Sequence, residues 1–566
     1  MARRWAGAAA SRGRASPSGR TRAAAAPHHA EASRSGGETD MPLISSRRTL
    51  LRAGAGLAAT TLAAPQADAQ GRRVIKAVMH APLGVLDPFA TTAYITRNHG
   101  YLVYDTLFAM DKASKPQPQM VRDWTVSDDR LTYAFRLRPG LKFHDDTPVT
   151  AADAVASLRR WAARDVMGTR LMNVMETLEA IDAERFRLVL KRPYGLVLET
   201  LAKPGGPVPF VLPKRIAELP ADQRITEAVG SGPFRFVAAE HRPGDRVVYE
   251  RFAGYVPRDE PASGLAGGKV AKVDRIEWLE IADSQTAVNA LLTNEIQVLE
   301  NVPPDMMTLA RRTRGVVLKP RGLGNFMLMR FNSAQPPFDN RLVRQAVMAA
   351  VRQKDYLDAQ IGDDSLAQEC SSVLSCESPY AADVPGPQGN LERARALLRE
   401  SGYAGEKVII LHPADLPSGS ALAPVTEQLL RSIGMNVQVD TMDWNGLLAR
   451  RARNVPVEQG GWSIAWGLWS NLDLMNPIVN LNLDGRGARG YVGWVEDARL
   501  EELRNAFSFE TDPARQQAIA TELQRLSNEE AYTVPLGGSK VVTGHRDNVR
   551  GVVVDLVLVF WNMELG

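Results

Sequence analysis

The chain has 566 residues, 45% hydrophobic and 23% charged, which exceeds one core and suggests roughly three or four domains of ordinary soluble composition. The formal charge of +4 is unevenly placed: residues 71–566 carry 58 Lys+Arg against 60 Asp+Glu, and the positive excess lies in the first 70. A near-neutral body gives no electrostatic reason for a nucleic-acid or anionic-membrane partner.

Residues 1–40, rich in Ala, Arg, Ser and Gly without periodicity, read as disordered sequence or an over-long gene start. Met41 is a second plausible start. The paired Arg47-Arg48 precede a weakly apolar run, Ala53 to Ala64, and then the small-x-small site Ala67-Asp68-Ala69. This pattern predicts a twin-arginine export signal over 41–69, cleaved near Ala69 to leave a periplasmic protein. The run is too short and too glycine-rich for a stable membrane span.

Downstream, short β-like runs alternate with helical patterns, which indicates α/β bodies. Val74 to Met79 and the alternating Thr132 to Leu137 are strand candidates. Thr150, with Asp153 three positions on, caps a helix whose apolar face is Val155, Leu158 and Trp161. Phe186 to Leu190, Arg246 to Glu250 and Val273 to Ile281 are further strands, the last leading into a helix from Ser284 to Leu292. A second block opens with the strand Asn325 to Phe331, and Asp339 is expected to cap a helix from Asn340 to Val351. Leu391 to Glu400 is an amphipathic helix, and a β–α–β unit follows over 408–411, 422–433 and 436–440. Helices at 498–506 and 513–530 precede a strand-like tail, Val552 to Phe560.

Catalytic and metal chemistry finds little support in the motifs. Eight histidines show no pairing that would build a zinc site on one helix, so no metal or cofactor is expected. Gly230-Ser231-Gly232-Pro233 is too tight for a nucleophile elbow, and there is no P-loop. Asp145-Asp146 sits in a polar turn, which suits a solvated loop better than an acid/base pair. Cys370 and Cys376 are the two cysteines; in an oxidising compartment they can staple a surface loop, the alternative being two free thiols.

The segment from Leu86 to Trp161 carries a long, ordered set of motifs. It runs through Leu86-Asp87-Pro88, Tyr104-Asp105-Thr106-Leu107, Trp124 to Asp129, Thr132 to Asp146 and Thr150 to Val155. Val229 to Phe234, Arg330-Phe331-Asn332, Pro336 to Asp339 and the Leu391 to Tyr403 stretch follow in order. Together they resemble the family 5 extracellular solute-binding proteins, the peptide, nickel and opine receptors of ABC importers. The resemblance implies an α/β fold of two lobes, the cluster C type of periplasmic binding protein, with a subdomain inserted in lobe one. Lobe one would be 71–110, 228–320 and 533–566, the insert 111–227, and lobe two 321–532. It also implies a monomer with no turnover that hands its solute to an ABC permease. An exported hydrolase, or a periplasmic receptor or chaperone without a transport role, would be the competing function classes; a hydrolase needs a nucleophile with its base.

Such receptors bury a solute between lobes, so the site should combine aromatic faces with a few oriented polar groups. Trp462, Trp466 and Trp469 fall within eight residues and are followed by Asn471 and Asp473. A four-and-three spacing also fits one buried helix face, although Gly460, Gly461 and Gly467 disfavour a helix, so cleft and core both stand open for Trp466 and Trp469. In the family the stretch after Gly461-Trp462 lines the cleft. Tyr94, Thr92, Asn325 and Phe326, near the Asp87-Pro88 and hinge motifs, are secondary candidates, as is Trp444. Peptide receptors of the family commonly place a carboxylate soon after Gly-Trp to hold the peptide's amino terminus. Here Ser463, Ile464, Ala465 and Trp466 stand there and the first carboxylate is Asp473, which leaves a peptide, an opine-like conjugate and a glycan all open as solute.

Overall fold

The structure is a computed structural model that describes residues 73–220, 223–322, 324–416 and 419–566. The expectations for 1–40 and 41–69 lie outside the described residues. Two mixed sheets organise the rest. The first has seven strands in the order Phe234–Phe236, Arg246–Arg251, Arg275–Leu279, Val74–Val78, Val298–Leu299, Val542–Arg546 and Val316–Pro320. The second has six, in the order Ala367–Gln368, Thr533–Ser539, Asn325–Phe331, Ile464–Ser470, Lys407–Pro413 and Asn436–Met442. The strand Lys407–Pro413 shows why the second sheet is central to its lobe: its apolar run is buried from Val408 to Leu411 and it pairs in parallel with Asn436–Met442.

The chain crosses between the sheets twice, from Val316–Pro320 into Asn325–Phe331 and back from Thr533–Ser539 into Val542–Arg546. These crossings define two lobes. They also correct the expected boundary, because residues 533–539 pair along Asn325–Phe331 in the second sheet and only the strand from Val542 returns to the first. The reason is register: Val534 and Leu536 are buried in the second lobe's core beside Met329.

A separate four-stranded antiparallel sheet, Val121–Val126, Thr132–Leu137, Arg185–Leu190 and Met175–Ala180, forms the insert. Alternation in Thr132–Leu137 buries Tyr133, Phe135 and Leu137 on one face. Phe143 and Trp161 are fully buried beside them, whereas Trp124 is only half-buried. The helix Ala151–Ala162 begins at a reciprocal cap: the Asp153 carboxylate accepts from the Thr150 N–H at 2.8 Å and from its hydroxyl at 2.6 Å. Thr150→Ala should cost about 1 kcal/mol, read as a shift of the denaturation midpoint.

Two local expectations fail for identifiable reasons. The helix Arg341–Ala350 is capped by Asn340, whose side chain accepts from the Leu342 N–H at 2.9 Å, and not by Asp339. The apolar tail 552–560 forms no strand. It is threaded against the first lobe's core, and its carbonyls are taken by Lys319 Nζ, at 2.6 Å from Val552, and by the Gly322 N–H, at 3.2 Å from Val554. No helix among the described residues is long and apolar enough to cross a membrane.

Candidate functional site

Two side chains, one from each lobe, meet where the lobes face one another. Tyr94 opens the helix Tyr94–Val103, which follows the first lobe's strand Val74–Val78. Asp473 sits in the turn Asn471–Leu474, directly after the second lobe's strand Ile464–Ser470. The Tyr94 hydroxyl donates to Asp473 Oδ2 and accepts from the Ser470 N–H at 3.2 Å. Three residues along the helix, Arg97 lays its guanidinium over the Tyr94 ring, with Cζ 4.9 Å from the centroid. The insert supplies a third wall. A Cβ on Gly205 would stand 3.0 Å from Asp473 Oδ1, and Lys203 Nζ holds that loop by donating to the Gly205 and Pro207 carbonyls at 3.0 and 3.1 Å while paired with Asp165 at 2.7 Å.

Burial pushes the Asp473 carboxyl above the usual carboxylate range, against the opposing pull of the Tyr94 hydrogen bond and the cations Lys203 and Arg97. Burial, and then Asp473, push the Tyr94 phenol well above its ordinary value. Several groups beside this contact are unsatisfied: Arg97 Nη1, Trp469 Nε1 and Asn471 Oδ1 are buried without a hydrogen-bond partner. Arg97 is 6% exposed, its other nitrogens donate only to the neutral Asn98 Oδ1, at 3.2 and 3.0 Å, and no carboxylate among the described residues pairs with it. A buried cation and two unmet polar atoms are costly unless another polar molecule meets them. The arrangement therefore gathers a carboxylate, a guanidinium and an aromatic edge at one place between the lobes.

Beside it lies the junction of the crossings. Glu300, 1% exposed, accepts from the His80 N–H at 2.9 Å and from Asn98 Nδ2 at 2.9 Å, lies 2.7 Å from His80 Nδ1, and pairs with Arg321 Nη2 at 3.1 Å. Arg321 follows the strand Val316–Pro320 at the first crossing and also reaches the Glu300 carbonyl and Asn301 Oδ1, at 2.9 and 2.7 Å. One carboxylate thus joins the end of the first strand, the helix that carries Tyr94 and Arg97, and the crossing segment.

Comparison with known proteins fits this architecture. The family model for bacterial extracellular solute-binding proteins, family 5 Middle, matches residues 115–483. The chain belongs to that family. It is 37% identical over 531 residues, 92% of this chain and 99% of the relative, to a protein of Sinorhizobium fredii named a probable peptide ABC transporter periplasmic-binding protein. It is 27% identical over 488 residues, 82% of this chain and 89% of the relative, to the glutathione-binding protein GsiB of Escherichia coli. Its fold matches the crystal structure of the ABC transporter substrate-binding protein CtaP of Listeria monocytogenes with a TM-score of 0.73, at 21% identity, over 87% of this chain and 99% of that one. The protein is a two-lobed family 5 solute-binding protein, the substrate-binding component of an ABC transporter.

Within this family member the residues singled out from sequence divide sharply. Tyr94, Asn471 and Asp473 come together as described. Trp469 flanks them: it is half-buried, its indole folds back over Gly467, where a Cβ would lie 2.3 Å from Nε1, and its ring centroid is 5.8 Å from that of Tyr491. Trp462 and Trp466 do not reach this place. Both are fully buried, with their indole N–H groups donating to the carbonyls of Arg451 at 2.9 Å and Leu411 at 2.6 Å. The segment is a strand, so alternation turns Trp466 into the second lobe's core and Trp469 to the opposite face. Phe326, opposite Trp469, is buried in a small cluster with Leu328, Cys370 and Leu474, and Asn325 is exposed beside it. Trp444 is half-buried against Leu447, and Thr92 is exposed. Cys370 and Cys376 form a disulfide, and Cys370 is buried in place of the expected surface position.

Arg97, Lys203, Gly205 and Glu300 were missed. The one local signal was the polar run Arg97-Asn98-His99 inside a helix whose neighbours are apolar; all three are buried.

Proposed function

We propose that the protein captures a peptide or peptide-like small solute between its lobes and releases it unchanged to its permease. The carrying observation is the Tyr94–Asp473 contact: a first-lobe hydroxyl and a second-lobe carboxylate joined where the lobes meet, flanked by an unpaired Arg97. In this reading an ammonium group of the solute binds Asp473, its anionic group binds Arg97, and Trp469 contributes an aromatic edge. The names of the Sinorhizobium and Escherichia relatives, peptide and glutathione, support a zwitterionic solute over a neutral glycan, and an opine conjugate carries the same pair of charges. The protein acts as a monomer in the periplasm, with 41–69 as its export leader, and the absence of a nucleophile–base motif in the sequence supports binding without turnover.

The test is titration calorimetry across peptides, opines and glycans, with chemical recovery of the solute afterwards. Asp473→Asn should weaken binding of an amine-bearing solute roughly 10–100-fold, the range of a charged hydrogen bond. Because the Asp473 carboxyl is raised and an ammonium favours its ionised form, wild-type affinity should rise with pH through that carboxyl's titration and then level off. Asp473→Asn should show no such rise. Full affinity in the variant, or recovery of a converted compound, would overturn the reading.

A further inference from the structure

We infer that the Cys370–Cys376 bridge is a positioning element of the solute site, holding the segment that carries Asn471 and Asp473; the assignment of that segment to the site rests on the proposed function. The loop from Cys370 to Ser378 has two halves with different attachments. Its first half is bolted to the second lobe's helices. Gln353, on the helix Gln353–Gln360, donates to the Cys370 carbonyl at 2.6 Å and accepts from its N–H at 2.7 Å. On the helix Pro513–Glu530, Gln524 Oε1 accepts from the Ser372 hydroxyl at 2.6 Å and Asn528 Nδ2 donates to the Ser371 carbonyl at 2.9 Å.

The second half grips the site. The Ser375 N–H donates to the Leu474 carbonyl at 3.1 Å, the Ser378 hydroxyl to the Met475 carbonyl at 2.6 Å, and Glu377 Oε2 accepts from Asn471 Nδ2 at 2.9 Å. These contacts flank Asp473 on both sides in the chain. The bridge joins the anchored half to the gripping half, with Cys370 and Cys376 in the same small cluster as Leu474 and Trp469.

Its span is short. A sequence separation of 6 places it at the low end of the entropic stabilisation a disulfide gives to a whole fold, so its constraint is local. A cavity lined by both cysteines with Gln353, Ser372 and Asp383 lies alongside. What the bridge fixes is the loop's own geometry, and through it the turn that presents the carboxylate.

The experiment is deuterium exchange on the full-length, solute-free protein, comparing wild type with Cys370→Ser/Cys376→Ser and, separately, with Glu377→Ala, which leaves the bridge intact. The expected result for the double variant is exchange faster by about tenfold or more over 470–476, with unchanged protection in the strands Val74–Val78 and Lys407–Pro413. Glu377→Ala should loosen the same stretch. Unchanged exchange over 470–476 in the double cysteine variant would overturn the inference whatever Glu377→Ala shows, as would a uniform rise across the second lobe, which marks a merely structural bridge. No solute enters the measurement, so failure of the wild type to bind peptides counts against the proposed function alone.

Discussion

Trp466→Ala should destabilise the protein by about 3–5 kcal/mol, whereas Trp469→Ala should cost about 1 kcal/mol and instead weaken solute binding. The two residues are three apart in one strand and differ in the face they occupy. Trp466 stands opposite Met329, is fully buried, and packs in the cluster of Met329, Ile410 and Leu422. Its indole N–H is committed to the Leu411 carbonyl at 2.6 Å, and its own carbonyl accepts from Arg451 Nη1 at 3.2 Å. Truncation leaves a cavity on the central strand and an unmet carbonyl, and neither can be filled by a shift of a well-paired sheet. Trp469 faces the other way, half-exposed, with an unpartnered Nε1. Thermal unfolding followed with calorimetric titration separates the two. Equal stability loss in both variants would remove the assignment of Trp469 to the site.

The same strand shows what was legible in sequence and what was not. The strands Thr132–Leu137 and Asn325–Phe331 and the helices Ser284–Leu292, Leu391–Glu400 and Pro513–Glu530 fall where period and turn chemistry placed them, because each is decided by its own residues. The fold class came from long ordered motifs, which encode the scaffold. Clustered tryptophans encode only that a large apolar surface is wanted nearby. Whether it is core or cleft depends on which face the neighbouring strand covers, a decision made by Met329 and Phe326 more than a hundred residues away. Likewise, the groups that complete the site are joined by contacts with no local spacing: Asn98 to Glu300 spans 202 residues and Tyr94 to Asp473 spans 379. Asp473 and Tyr94 are each singled out in sequence beside a motif of their own, but the contact between them has no local signal. The crossing near 533–542 was misplaced for the same reason, since strand exchange between two sheets leaves no mark in either strand's pattern.

Those long-range contacts are also where the largest loss from a single polar change should occur. Glu300→Ala should destabilise the protein by about 3–5 kcal/mol, the usual cost of removing one partner from a buried ionic cluster. It would leave Arg321 without its carboxylate, and the His80 N–H and Asn98 Nδ2 without their acceptor. Burial on its own would raise the Glu300 carboxyl, but the charges of His80 and Arg321 and the His80 hydrogen bonds outweigh it and hold the group well below the usual range. The sign of the pH dependence follows. A carboxyl held below its unfolded value of about 4.3 contributes fully above that pH, and the contribution fades as the pH falls toward the folded value. The stability gap between wild type and Glu300→Gln should therefore be full above that pH and narrow in acid, as read by denaturant unfolding at a series of pH values. A gap constant down to about pH 3 would mean that the carboxylate is not the hub of the crossing. The consequence reaches the proposed solute site through the backbone, because Asn98, held by Glu300, follows Arg97 on the helix that begins with Tyr94. Glu300→Gln should accordingly weaken solute binding at neutral pH even where the lobes remain folded, since the first-lobe half of the site is only as fixed as the junction beneath it.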